Sequence, residues 1–208
     1  MKKLSIVLIL LTAGLCTMAQ VSQKSTTKGF MGSAGGHMLG WASEYFQYMD
    51  ENAPSGYGGG LRLSYGVTQL IEPYIGFDIT SMGISNVDAQ SFSMSHVDLG
   101  VRFNLGGTIL PVRPFVEGGF TARKGKIGQV INGTSYDDVE FSGGTPHLGG
   151  GLRYFFNKAI AAYASGLFTI GKTSNFTLNG QKHPDEVDVT TFRIGVGISV
   201  NISELSNR

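Results

Sequence analysis

Residues 192–202, Phe192-Arg193-Ile194-Gly195-Val196-Gly197-Ile198-Ser199-Val200-Asn201-Ile202, separate into two interleaved sets. One is Phe192, Ile194, Val196, Ile198, Val200 and Ile202; the other is Arg193, Gly195, Gly197, Ser199 and Asn201. Six apolar residues in strict alternation have the period of a strand with one apolar face, not that of a helix.

Five further runs obey the same rule. Tyr57, Leu61, Leu63, Tyr65 and Val67 stand against Gly58, Gly60, Arg62, Ser64 and Gly66; Ile71, Pro73, Ile75, Phe77 and Ile79 against Glu72, Tyr74, Gly76 and Asp78. Val97, Leu99, Val101, Phe103 and Leu105 oppose His96, Asp98, Gly100, Arg102 and Asn104. Pro114, Val116 and Phe120 oppose Arg113, Glu117, Thr121 and Arg123, and Leu148, Leu152, Tyr154 and Phe156 oppose His147, Gly149, Gly151 and Arg153. Residues 29–41 and 159–171 are small-residue strands whose pattern assigns no facing. The count is eight. Short links near 67–70, 106–112 and 156–159 alternate with long ones at 42–56, 81–91, 124–143 and 172–188, the rhythm of an all-β, eight-stranded antiparallel up-and-down barrel.

The amino terminus sets the compartment. Lys2 and Lys3, an apolar run from Leu4 to Leu15, and Thr17 and Ala19 ahead of Gln20 have the three-part layout of a secretory signal peptide, residues 1–19, which leaves a barrel domain of residues 20–208. The alternative, a lipoprotein signal that keeps Cys16, is opposed by the bulk of Leu15 directly before it. Cleavage after Ala19 removes the one cysteine, and with it disulfides, thiolate catalysis and cysteine metal sites. No later segment approaches 18 consecutive apolar residues, so a second membrane crossing has to be a closed barrel. A formal charge of +1 gives no electrostatic case for nucleic acid, and none is expected as a partner.

Alternation alone does not separate a membrane barrel from a soluble lipocalin-like ligand carrier, which turns its apolar face inward. The polar face decides. It carries Arg62, Arg102, Arg113, Arg123, Arg153 and Arg193 with Glu72, Asp78, Asp98 and Glu117, while every lysine beyond the leader lies in the tail, a turn or a long loop. Arginine's planar fork suits enclosed pairing with carboxylates, and a charge facing lipid at midplane costs roughly 2–4 kcal/mol. The charged face is therefore the lumen, and the six arginines and four carboxylates are expected to form a paired network that plugs it. Tyr57 and Phe192 at one end, with Tyr65, Tyr154 and Phe156 at the other, are candidate aromatic girdles.

In these features the chain resembles the small outer-membrane β-barrel proteins of Gram-negative envelopes, the eight-stranded OmpA/OmpX type, over essentially the whole mature length. The closing strand also resembles that family's barrel-assembly recognition signal at Arg193, Gly195, Ile198 and Val200. It departs from the family at the end, continuing through Ser203 to Arg208 where members usually finish on an aromatic residue. The resemblance implies an exported, integral outer-membrane protein among outer-membrane lipid and lipopolysaccharide, handled by the barrel-assembly machinery and expected as a monomer.

Chemistry is sparse. Ser95, His96 and Asp98 are the nearest thing to a catalytic constellation, but alternation puts Ser95 on the opposite face from His96. No catalytic, cofactor-binding or metal site is expected, and His96 and His147 are read as lumen hydrogen-bonding groups. The long loops hold ten carboxylates against four lysines, the pattern of a solvated acidic rim. Two of them carry Asn-Gly pairs, Asn132-Gly133 and Asn179-Gly180, flanked by strand-forming residues, which places hairpin tips there. Ribbons projecting from the membrane could recruit an extracellular protein partner by their edges. The expected role is structural, or adhesion and binding through the loops; a small channel or membrane enzyme is the alternative.

Overall fold

The computed structural model describes residues 23–84, 88–132, 135–173 and 175–206; the expected signal peptide and Gly133 lie outside the described residues. The elements are β1 (Gly29–Ala42), α1 (Gln47–Asn52), β2 (Ser55–Gly66), β3 (Ile71–Met82), β4 (Ser91–Asn104), β5 (Val112–Asn132), β6 (Ser135–Phe155), β7 (Ile160–Thr173), β8 (Asn175–Leu178), β9 (Gln181–His183), β10 (Val187–Asn201) and α2 (Ile202–Ser206). Strands β1 to β7 and β10 pair antiparallel with their neighbours, and β10 closes the ring on β1 from Met31 opposite Asn201 to Ala42 opposite Thr190. The fold is a closed eight-stranded barrel. No ring strand is left with a free edge in the wall, as a membrane demands.

Alternation is kept around the ring. Leu61, Leu63, Ile75, Leu99, Val116, Phe120, Leu148 and Val196 are exposed on the outside, and Glu72, Asp98, Arg102, Glu117 and Arg153 are buried inside. The alternative of a soluble ligand carrier with an apolar lumen is overturned by that facing. The two strands without a readable pattern also settle: Ser33, Leu39 and Trp41 of β1 and Ala161, Leu167 and Thr169 of β7 are buried inward. Gly36 and Ala164 face out, as do Phe30, Met38, Phe168 and Ile170.

Expected long loops are shorter than their sequence spans. β5 and β6 stay paired from Val112 opposite Tyr154 to Asn132 opposite Ser135, interrupted by one bulge between Ile127 and Val130. Asn132 is thus the last paired residue of its strand and not a central turn residue. The second Asn-Gly pair forms its own hairpin: Asn179 (φ 50°) and Gly180 (φ 78°) are both left-handed, as a two-residue type I′ turn requires, and Leu178 faces Gln181 across it. This hairpin continues β7 and β10 beyond the wall with the register shifted by one residue. β8 keeps the place of β7 beside β6, from Val139 opposite Leu178 to Ser142 opposite Asn175, so the β6 edge of the ribbon is filled by the chain itself. What edge remains, β9, is three residues long, carries Lys182 and runs into Pro184, all devices that blunt pairing.

Beyond the wall the inward face changes character. Leu39, Trp41, Met82, Phe92, Met94, Ile127, Phe141, Val187 and Val189 point in and, with Met49 and Ala53 of the α1 segment and Phe176 of β8, form one apolar core at the loop end. Trp41 lies 5.1 Å from Phe92 edge-on and 6.1 Å from Phe141 stacked, and its indole N–H donates to the Ala53 carbonyl at 2.7 Å. At the opposite end the chain ahead of β1 crosses the mouth. Lys24 and Ser25 N–H groups donate to the Thr108 carbonyl (2.9 and 3.0 Å), and Thr27 is bonded to both the backbone and side chain of Gln69.

Glycine on the inner wall leaves room for bulk across the strand. A Cβ on Gly60 would sit 1.7 Å from Asp78 Oδ1, and one on Gly100 would sit 2.8 Å from the Tyr74 ring. The room is used by Asp78 and aromatic rings more than by arginine; Arg62, 3.6 Å from a Cβ on Gly76, is the only guanidinium so placed among the described glycines. Gly100→Leu should therefore cost more than the usual 1–3 kcal/mol of overpacking, since the Gly118 carbonyl is also in the way. The expected result is loss of the heat-modifiable, fast-migrating folded band on a gel after refolding into detergent, whereas Gly107→Leu, in an open turn, keeps it.

Candidate functional site

The lumen is built in three layers along the barrel. Nearest the short turns, Glu72 of β3 accepts two parallel bonds from Arg153 of β6, each 3.1 Å, and one each from Ser64 Oγ (2.7 Å) and Asn104 Nδ2 (2.8 Å). Arg102 Nη1 stands 3.7 Å from the same carboxylate and links it to the next layer. There Glu117 of β5 takes Arg102 Nε and Nη2 at 2.9 and 2.7 Å and Arg62 Nη1 at 2.9 Å, all on one oxygen. Arg62 also lies 4.2 Å over the Tyr74 ring and Arg102 3.9 Å over Phe115, so both cations have an aromatic face as well as a carboxylate.

In the third layer Arg193 of β10 bridges Asp78 and Asp98, donating to Asp98 Oδ1 at 2.8 Å. Thr121 donates to that same oxygen at 2.6 Å. A hydroxyl that donates there has only its lone pairs for His147 Nδ1, 2.8 Å away, so Nδ1 carries the proton and Nε2 accepts from Tyr74 Oη at 2.8 Å. One hydrogen-bonded chain thus ties the third layer to the second through Tyr74.

Four of the six expected arginines, Arg62, Arg102, Arg153 and Arg193, pair with the four expected carboxylates, Glu72, Asp78, Asp98 and Glu117. Arg113 and Arg123 do not. Arg113 lies directly opposite Arg153 in the β5–β6 register, where like charges repel, and turns to the mouth to donate to the Gln69 carbonyl (2.6 Å) and Oε1 (3.1 Å). Arg123, opposite His96, reaches only Thr169 Oγ1 (3.5 Å) and the Gly171 carbonyl (3.4 Å). Its Nε and both ring nitrogens of His96 have no partner among the described residues, against the expectation that His96 is hydrogen-bonded. His37 of β1, whose facing the sequence left open, bonds Thr80 Oγ1 at 2.7 Å. Ser95 points outward toward the Lys124 carbonyl and His96 points inward, so the two do not converge. Among the described residues no group of three His, Cys, Asp or Glu side chains is placed to hold a metal.

In the closing strand, Arg193 and Gly195 face the lumen while Ile198 faces lipid with Val200. The loop-end rim is acidic. There Glu140 accepts from Lys124 at 2.6 Å with Lys126 at 3.4 Å, and the Lys124 hydrogen bond holds its carboxyl below the usual range.

The model of the outer membrane protein beta-barrel domain family matches residues 7–199. The chain belongs to that family. Among solved structures it is similar to Neisserial surface protein A, with a TM-score of 0.62 at 12% identity over 84% of this chain and 98% of that one. It is also similar to Ail, the attachment invasion locus protein of Yersinia pestis (0.51, 18%, covering 83% and 99%), and to OprG from Pseudomonas aeruginosa (0.54, 11%, 86% and 97%). At these identities the likeness is one of fold. No curated protein matches in sequence.

Removing Glu117 takes the one carboxylate from Arg62 and the nearer of two from the buried Arg102, whereas Arg123 has none to lose. Glu117→Gln should lower stability by about 3–5 kcal/mol, and Arg123→Met should hold or raise it. Urea unfolding in lipid vesicles, followed by fluorescence of the single tryptophan, Trp41, reads both.

Proposed function

We propose that the protein is a non-conducting outer-membrane barrel whose lumen is plugged by the arginine–carboxylate network, and which holds a folded acidic module outside the membrane for adhesion or binding. The observation that carries this reading is closure at three levels. The apolar core around Trp41 and Phe141 covers one mouth, the Ser25–Thr27 strap with Gln69 and Arg113 covers the other, and between them the ion pairs leave a cavity of about 50 Å³ beside Arg62 and Asp78. An ion would have to cross a shell of packed aromatic and methionine side chains before meeting any charge.

The signal peptide is cleaved after Ala19, the assembly machinery reads Arg193, Gly195, Ile198 and Val200, and the monomer sits among outer-membrane lipid and lipopolysaccharide with its long loops outward. Support comes from family membership and from those residues lying on the strand that closes the ring. Catalysis has no part in the reading, because Ser95 and His96 occupy opposite faces of β4.

The partner chemistry is cationic. Ail is known in complex with the heparin analogue sucrose octasulfate. Here the rim has ten carboxylates, from Glu44 to Asp188, against Lys124, Lys126, Lys172 and Lys182, a surplus of six negative charges that repels a polyanion. Exposed Tyr45, Tyr48 and Tyr136 add faces that suit lysine and arginine.

In planar bilayers the protein should give no unitary conductance steps; steps that vanish with the protein would overturn the plug. In nanodiscs it should bind a lysine-rich peptide with an affinity that falls steeply with salt and drops when Asp50, Glu51 and Asp185 are changed to their amides. Retention of heparin in place of the peptide would overturn the cationic partner.

A further inference from the structure

The short-turn end has a charge opposite to that of the rim. The strap and the three short turns carry Lys24, Lys28 and Lys158, and among the described residues the one carboxylate outside the lumen at this end is Glu204 of α2, which does not line the recess. Lys24 and Lys158 line one recess of about 430 Å³ at the edge of the barrel, and neither has an ion-pair partner among the described residues. Asn157 lines it too. Its Oδ1 is tied down by the N–H groups of Ala159 (2.8 Å) and Ile160 (3.0 Å), which leaves the Nδ2 amide as a free donor at the recess. Two ammonium groups and an amide donor, with no acid beside them, are the chemistry that receives a phosphodiester.

Tyr154 forms part of that recess and also of a second, wholly different one, an apolar groove of about 570 Å³ on the lipid-facing wall. Register explains the groove. Ala162 and Ala164 of β7 form its floor; Tyr154 and Leu152 stand opposite them on β6, and Ile198 and Val196 opposite them on β10. Two rows of large side chains, two strand spacings or about 10 Å apart, therefore bank a row of methyl groups. From Ala162 to Gly166 the row of small residues runs about 13 Å along β7, which at the usual strand tilt is about 10 Å of a hydrocarbon core of about 30 Å. It begins at the foot of β7, where Lys158 sits, and leads into one leaflet.

We infer that the recess and groove together bind one anionic phospholipid of the inner leaflet, its headgroup phosphate on Lys24, Lys158 and Asn157 and one acyl chain along Ala162 and Ala164. The assignment rests on the orientation proposed above, with the short turns inward. The groove exchanges lipid contact for protein contact and so supplies shape, while selection lies in the lysines. Each ammonium group near an anionic headgroup strengthens binding about fivefold.

Native mass spectrometry of the barrel released from micelles provides the test, with phosphatidylglycerol and phosphatidylcholine of the same chains as probes. The unaltered protein should retain a single phosphatidylglycerol at a concentration at least tenfold below that needed for phosphatidylcholine. Lys24→Gln with Lys158→Gln should erase the preference, Ala164→Leu should weaken both lipids, and glycerol 1-phosphate alone should not be retained. Equal retention of the two lipids by the unaltered protein overturns the inference. So does a preference that survives loss of both lysines, or glycerol 1-phosphate binding as tightly as the lipid. Heat-modifiable migration of each variant reports the barrel separately, and surface labelling of Lys126 on intact cells reports the orientation. Failure of either counts against the function proposed above and is distinct from failure of the lipid site.

Discussion

A guanidinium group enclosed in a barrel of eight strands has too little water around it to stay solvated, and the rest of the interior is arranged around that constraint. Four arginines find four carboxylates, and the pairs are never isolated: Glu72 and Glu117 share Arg102, and Asp78 and Asp98 share Arg193. Sharing works both ways: Arg193 keeps one aspartate if the other is removed, whereas removing Glu117 takes a carboxylate from both Arg62 and Arg102. The network also spans strands far apart in sequence, from β2 to β10, and so fixes the lumen contents in one arrangement. Closure of the ladder alone leaves side chains free to choose among several.

The constraint is local to the membrane, and a change of pattern marks where it ends. On β4 the inward series runs Asn104, Arg102, Asp98, His96 and then Met94 and Phe92, while the outward series runs Phe103, Val101, Leu99, Val97 and then Ser95, Ser93 and Ser91. Both faces exchange polarity at the same residue. Outside the hydrocarbon the outer face meets water and carries serine, lysine and glutamate, and the inner face can bury apolar bulk as any soluble core does. The barrel is therefore two proteins on one set of strands: an inside-out one within the membrane and an ordinary one above it, with Trp41 at its centre.

This reversal was present in the sequence at residues 91–95, yet a search for apolar-outward alternation starts that strand only at Val97. The eight strands, their short and long connections and the charged lumen were legible because a period of two survives in a single sequence wherever lipid lies on one side. β1 and β7 were not, since large apolar residues fall on both faces, Phe30, Met38, Phe168 and Ile170 outward and Met31, Leu39, Trp41 and Leu167 inward, with small residues between them. Which arginines pair was equally hidden. Arg113 is excluded by register, because it falls opposite Arg153, and register follows from turn geometry that composition does not state.

The two arginines left over are instructive because they lie at opposite ends of the paired set. Arg113 satisfies its donors on backbone and side-chain oxygens of the turn beneath it, so its charge is spread over carbonyl dipoles under the strap. Arg123 sits directly under the apolar core, next to an unpartnered His96, where neither a carboxylate nor the solvent relieves it. The same residue type is thus held once by dipoles and once, poorly, by a hydroxyl and a distant carbonyl. Good pairing is confined to the middle of the lumen. That is where a bare charge would be costliest, and strain is tolerated toward the end where the fold turns into an ordinary packed core and can yield locally without opening the ring.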